Sequence, residues 1–352
     1  MRAFVTKLTL IFVPVAVMLA ANVFYDPVHI VREGPERDIA SMLIAGRRVG
    51  GIVNYDERRL VAYCLQQMSQ PRDVVVLGSS RAMQIRDDQF PGETMFNASV
   101  STATVADLAA IIGEHARRHL LPRRMIIELD ATLLDRSNRS DLWRAMASGY
   151  DEVRRATGLP PGPTSAPRLD RFFVLLSPVY FQQTVREIRA RRSLRTFQPF
   201  AVISDDGGAV LPDGSRVYPR SVRDRTAAQL EGMAVAGAAL MRSDDRYTHF
   251  KKIDDEAAGE LAALFAFLTS RGTDVALFLG PLHPTMIGLL RESGDYAVFE
   301  DAARTYHAIA AQLHLPLGGS FDGAAAGCAG AEFYDPDHPR EPCVNRIVHA
   351  IQ

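Results

Sequence analysis

The residues Asp73-Val74-Val75-Val76-Leu77-Gly78-Ser79-Ser80-Arg81 constrain the fold more than any other stretch of the chain. A β-branched apolar run of strand length ends abruptly in Gly-Ser-Ser. It then opens into helical spacing at Met83, Ile85 and Phe90, and predicts a short helix that stops near Pro91-Gly92. A hydroxyl is thereby set on a tight turn at the carboxyl end of a strand. In open α/β sheets that edge is where ligands bind.

The neighbouring segments repeat the strand-helix rhythm. A helix from about Asp56 to Ser69 precedes the first strand, and a second strand runs from Thr94 to Val100. Thr104 and Asp107 have the spacing of a capping box ahead of Leu108, Ile111 and Ile112, and Pro122 separates that helix from a third strand, Met125 to Asp130. Between about 136 and 250 the rhythm is lost. Arg171 to Arg195 reads as a long helix, and Asp205-Asp206-Gly207-Gly208 with Pro212-Asp213-Gly214 predicts a hairpin, so this region is expected to be an insertion. Alternation resumes with a helix at 255–270, a strand at 275–281, a helix from Tyr296 to Leu313 and a strand at 315–318. The expectation is an α/β protein: a three-layer α/β/α domain whose five-stranded parallel sheet has the flavodoxin-like order 2-1-3-4-5.

With 40 basic and 41 acidic side chains in 352 residues, the chain carries no global footprint for nucleic acid. Its N-terminus departs from an ordinary globular composition. Leu8 to Phe24 holds no charge and follows Arg2 and Lys7, so residues 1–30 are expected to be a membrane anchor, with a cleaved signal peptide as the competing reading. The remaining residues, 31–352, would then lie outside the cytoplasm, in the periplasm. Cys328 and Cys343 are expected to pair in such an oxidising compartment, and closing about 15 residues would contribute roughly 3 kcal/mol. Cys64, on the apolar stripe Leu60, Val61, Cys64, Leu65, is expected to be a small buried hydrophobe.

The disulfide would bracket Phe333-Tyr334-Asp335-Pro336-Asp337-His338-Pro339, where an acid and an imidazole stand three apart on a proline-punctuated loop. A serine hydroxyl is a poor nucleophile until a base takes its proton, and an imidazole does so well when a carboxylate fixes its tautomer. Ser80, His338 and Asp335 suit those roles, with Asp337 the rival orienter and a helix N-cap the structural alternative for Ser80. Such chemistry calls for no cofactor and no metal.

The order of these blocks resembles the SGNH/GDSL hydrolase superfamily, and within it the membrane-anchored extracytoplasmic branch that includes teichoic acid D-alanine transfer and alginate acetylation proteins. The resemblance covers roughly 70–135 and 250–349. Gly78-Ser79-Ser80 is similar to the strand ending Gly-Asp-Ser, which makes Ser80 the matching nucleophile and its own N–H one oxyanion donor. Asn97-Ala98-Ser99-Val100-Ser101-Thr102 resembles the second block with Ser99 and Thr102 where glycines are usual, and implies Ser99 and Asn97 as further donors. At the third block Asp130 stands where an asparagine is usual, and an ionised carboxylate accepts and cannot donate.

Other candidates have weaker signals. His283 ends the fourth strand on the rim, either touching substrate or forming a structural turn. His115 and His119 have a spacing compatible with a metal, but Arg117 and Arg118 argue for a solvated basic face. Arg186, Arg189, Arg191, Arg192 and Arg195 could meet anionic polysaccharide or lipid headgroups, or form a solvated helix end. Trp143, the only tryptophan, is a possible sugar platform. The expected function is a serine esterase or O-acyltransferase acting on acyl groups of a cell-envelope or exported polysaccharide, with a membrane-bound acyltransferase as a possible partner. The alternatives are a catalytically silent glycan-binding or scaffold component of an acylation complex, and a lipid esterase.

Overall fold

The computed structural model describes residues 2–26, 34–52, 55–138, 140–160, 173–190, 198–200, 207–243 and 249–352. Its strands in chain order are β1 (Arg48–Gly50), β2 (Val74–Leu77), β3 (Met95–Asn97), β4 (Arg124–Leu129), β5 (Gln198–Phe200), β6 (Ala209–Val210), β7 (Arg216–Val217), β8 (Asp274–Leu279) and β9 (Leu317–Gly319). Five of them form an all-parallel sheet ordered β3-β2-β4-β8-β9, with Val75 opposite Met125 and Met125 opposite Val275. Along the whole chain this is 3-2-4-8-9 and not 2-1-3-4-5, because β1 precedes the sheet and β5, β6 and β7 interrupt it. Counted within the sheet alone, the succession is second, first, third, fourth, fifth.

Side-chain alternation divides the interior into two cores, one on each face of the sheet. Val75 and Leu77 of β2, Met125, Ile127 and Leu129 of β4, and Leu277 of β8 pack among the helices Glu57–Gln67, Val105–Arg117, Asp255–Ser270 and Ala297–Leu313. Val74, Val76, Ile126 and Phe278 point the other way, onto Ala82, Ile85, Phe333 and the helix Glu341–His349. Burying each such side chain is worth about 1.5–3 kcal/mol, so the three-layer arrangement follows from strands that are apolar on both faces. The helix starts are capped as their sequences require: Asp56 accepts from the N–H groups of Arg58 and Arg59, and Thr104 with Asp107 forms the expected capping box. A bidentate, buried pair between Arg58 and Asp107 ties these two helices together.

Three local expectations are corrected. The segment after Ser80 is no α-helix but a series of tight turns followed by the short 3₁₀ helix Asp87–Gln89. The Asn97 side-chain amide donates to the carbonyls of Ala82 and Ile85, and the Ala82 carbonyl also accepts the Ile85 N–H in an i→i+3 turn in place of a helical i→i+4 bond. Residues 34–52, unassigned from sequence, contain the helix Glu36–Ile44 and β1, which forms the four-stranded antiparallel sheet β5-β1-β6-β7 with the insertion's strands. The long helix read over Arg171–Arg195 is described as Pro178–Ala190, and Arg191, Arg192 and Arg195 lie outside the described residues.

The expected membrane anchor is corrected as well. Arg2–Tyr25 is helical with Pro14 inside it, but among the described residues no helix is long and apolar enough to cross a membrane. The single-pass membrane placement drawn from that anchor therefore falls. The charge-free span sits at the lower limit of about 17 residues and ends in polar groups engaged with protein. Asn22 donates to the Leu175 carbonyl and accepts from Thr184 Oγ1, and Asp26 accepts from the Tyr180 hydroxyl, all buried.

Candidate active site

Ser80 lies on the turn that follows β2, and its hydroxyl is 2.8 Å from His338 Nε2. His338 Nδ1 is 2.7 Å from Asp335 Oδ1, so an Nδ1–H donating to that carboxylate leaves Nε2 to accept the Ser80 proton. Both the imidazole and its carboxylate are about one-fifth exposed. Asp335 also accepts from the N–H groups of Asp337 and His338. Burial alone would raise its carboxyl, but the hydrogen bond and charge of His338 and those two N–H groups hold it below the ordinary aspartate value. Asp337, the rival orienter, makes no hydrogen bond to the imidazole: its Oδ1 is buried without a partner among the described residues, and burial raises its carboxyl against the nearby Arg81.

The base loop is fastened from several directions. Cys328 and Cys343 are disulfide-bonded, their Cα atoms 5.3 Å apart, and Cys64 is the free, buried cysteine. Burial pushes the Cys64 thiol up to about 12, which keeps it inert. Arg81, next to Ser80, donates through Nε to the Asp337 carbonyl and through Nη1 to Asp130 Oδ2. From the insertion, Arg225 donates to the Tyr334 carbonyl at 2.8 Å, and Tyr218 packs against Tyr334 with the rings tilted, its ring 6.0 Å from that of His338. Gly237 is required where the loop passes, since a Cβ there would stand 2.9 Å from Pro336 Cγ.

The expected oxyanion donors are only partly available. Ser80 N–H donates to no group among the described residues. Ser99 N–H, however, donates to Asn97 Oδ1, and both Asn97 amide protons are spent on Ala82 and Ile85, so neither the Ser99 N–H nor the Asn97 side chain is free for an oxyanion. The side chain of Asn97 is consumed in closing the turn that presents Ser80. Thr102 and Ala103 line the cavity beside Ser80, and their N–H groups meet no acceptor among the described residues. Thr102 holds φ of 47°, a left-handed conformation uncommon for a β-branched residue.

A cavity of about 510 Å³ opens over Ser80 and His338. Asp130, Thr132, Asp135, Ser137 and Asn138 give it polar lining after β4, while Leu240 and Met241 of the helix Ala227–Ser243, with Met286, give it apolar lining. Asp130 thus sits at the rim, accepting from Thr132 N–H and Arg81. His283 does not reach the cavity. It is 1% exposed and caps the helix Pro284–Glu292, accepting from Thr285 N–H, so the rim role is corrected to a structural one. His115 is buried against the Ile111 carbonyl instead of lying on a solvated face, with burial lowering its imidazole to about 4. Trp143 is buried against Tyr150, their rings 4.0 Å apart, in the core and not on a sugar platform.

Sequence reasoning missed Arg81, Glu128, Tyr218 and the insertion's wall. Arg81 had a signal, standing beside the nucleophile with acids at the end of the third strand to pair with; Tyr218 had none. No protein-family model matches this chain, and no curated protein matches it.

Proposed function

We propose that the chain is a serine esterase or O-acyltransferase of the SGNH/GDSL type, acting on acyl esters of a polysaccharide. The observation that carries this reading is the continuous relay from Ser80 Oγ through His338 to Asp335, at 2.8 and 2.7 Å. Ser80 attacks the ester carbonyl carbon while its proton passes to His338 Nε2, and the carbonyl oxygen becomes an oxyanion. Ser80 N–H and the free N–H groups at Thr102 or Ala103 receive that charge. Collapse breaks the bond to the sugar oxygen, which takes the proton from His338 and leaves an acyl-serine. Water or a sugar hydroxyl, deprotonated by the same imidazole, then removes the acyl group. The hydroxyl-, amide- and carboxylate-lined part of the cavity suits a polyol, and the methionine- and leucine-lined part suits a short acyl chain.

A second reading, a catalytically silent member that binds glycan, is favoured by one feature: Asp130 cannot donate and the Asn97 amide is spent on Ala82 and Ile85, so neither offers the oxyanion a side-chain donor. A fluorophosphonate probe separates the two. The esterase reading expects covalent labelling of the full chain and turnover of a small acetyl ester, both lost in Ser80→Ala and in His338→Ala, each by about 10⁴-fold or more. An unlabelled parent protein, or labelling that persists in Ser80→Ala, moves the assignment to the silent binder.

A further inference from the structure

Beneath the Ser79–Ser80 turn lies a carboxylate that the relay does not use. Glu128 stands on β4, the strand flanked by β2 and β8, and is 1% exposed. Its Oε2 accepts the Ser79 N–H at 2.7 Å, while its Oε1 is buried with no hydrogen-bond partner among the described residues. Two glycines at the ends of the neighbouring strands make its room. A Cβ on Gly78 would stand 2.6 Å from Glu128 Cβ, and one on Gly280 would stand 2.4 Å from Oε1. An ionised carboxylate with an unbonded oxygen is costly to bury, and stability alone favours an amide or an apolar side chain here.

The charged and titratable groups facing it are few. Arg81 approaches from the turn after β2, with Nη1 3.9 Å from Oε1, but its guanidinium is already bonded to Asp130 and to the Asp337 carbonyl. Asp130 stands just past the end of β4, Tyr306 faces it from the helix Ala297–Leu313, and the Gly280 backbone approaches it just past the end of β8. Burial first, and then the Asp130 charge, push the Glu128 carboxyl up to about 7, against the lowering by Arg81 and the Ser79 N–H.

We propose that Glu128 is a positioning residue for the nucleophile: as a carboxylate it grips the Ser79 N–H and sets the Ser80 turn against His338, and on taking a proton it loosens that grip. A charge-assisted bond is about twice as strong as a neutral one, so the turn is held hardest when Glu128 is ionised. The inference rests on the esterase reading of Ser80 and His338.

The test is the rate of fluorophosphonate labelling of the full chain between pH 5 and 9, in the parent, Glu128→Gln and Glu128→Ala. In the parent, the rate climbs with a slope of one as the base loses its proton, and ionisation of Glu128 adds a further rise of a few-fold, so the acidic limb climbs in two steps. Glu128→Gln keeps an acceptor for the Ser79 N–H and lacks the ionisation. It therefore loses the added step, climbs in the single step of the base, and reaches a plateau about 3-fold below the parent. Glu128→Ala leaves the N–H orphaned, and its plateau drops by roughly 10-fold or more. Superposable profiles for the parent and Glu128→Gln overturn the inference while leaving the esterase reading intact; a parent that is not labelled overturns both. In case the variants fold poorly, the unmodified protein with ¹³C-labelled glutamate carboxyls supplies an independent measurement. A Glu128 resonance that titrates with the acidic limb supports the inference, and one that stays unchanged from pH 5 to 9 overturns it.

Discussion

The two loops that meet at the site are held in opposite ways. The nucleophile turn is fixed from directly beneath, by the end of its own strand, by Asn97 one strand away and by Glu128 on the other neighbouring strand. The base loop is fixed from afar: a disulfide, Arg81, Gln84, Arg225 and the N–H of His283 each take one of its backbone groups or clamp its ends. Perturbing the first loop therefore changes the chemistry of Ser80 itself. Perturbing the second changes mainly where His338 stands.

The largest effect that tests this contrast lies within the base loop. Asp335→Asn keeps the shape of the side chain but deprives the imidazole of the carboxylate that fixes its tautomer, and should lower the labelling rate on the order of 10⁴-fold. Asp337→Asn, two residues away and not bonded to the imidazole, should change it by less than about 3-fold. Equal losses in the two variants would show that the acids share the role. Rate measurements over the pH range also check the sign for Asp335. Its carboxyl is held below the ordinary value in the folded protein, so its contribution to stability is present above that ordinary value and is lost as pH falls through the lowered one.

Next in size is the clamp at the ends of the loop. Cys328→Ser with Cys343→Ser should cost roughly 3 kcal/mol of stability, read by denaturant unfolding. The labelling rate at low temperature, where the fold persists, should fall far less than in Asp335→Asn, because the loop keeps its other fastenings. Arg81→Met tests those other fastenings. It removes the bond to the Asp337 carbonyl and leaves Asp130 without its cation, and should slow labelling by about 10²-fold while the Glu128 ionisation moves to still higher pH. Labelling at the parent rate in Arg81→Met would mean that the base loop holds its place without the arginine.

The same contrast explains what could be read from sequence. The nucleophile turn was legible because its determinants are local: valines that fit a doubly buried strand, then Gly78, which alone leaves room for Glu128. The pairing of His338 with Asp335 was legible because an i, i+3 spacing on a tight loop brings both to one side. Arg225 and Tyr218 were not, since nothing in a hairpin with a Gly214 turn says which distant loop it will cover. Asn97 misled for a physical reason as well: a side-chain amide beside the nucleophile can face an oxyanion or close the turn, and only the positions of the Ala82 and Ile85 carbonyls decide between them. The apolar N-terminal stretch misled because composition does not reveal that Asn22 and Asp26 are spent on a protein partner.

The smallest expected effect concerns stability on the nucleophile side. Because the folded Glu128 carboxyl titrates above its ordinary value of 4.5, the folded state keeps a proton that the unfolded chain has already released. Stability from this group is greatest at low pH and is lost as pH rises from about 4.5 through about 7. Glu128→Gln carries no such charge. Its melting temperature should match the parent's near pH 5 and exceed it at pH 8, by an amount equivalent to on the order of 1 kcal/mol or more, the lowering by Arg81 being already contained in the shift. Thermal unfolding of the two proteins at both pH values measures the difference directly. A gain at pH 8 together with the altered labelling profile would mean that the site keeps a destabilising charge where it grips the nucleophile turn. A loss at pH 8 would mean that Arg81 and the Ser79 N–H more than compensate that charge, and would place Glu128 among the groups that hold the fold together.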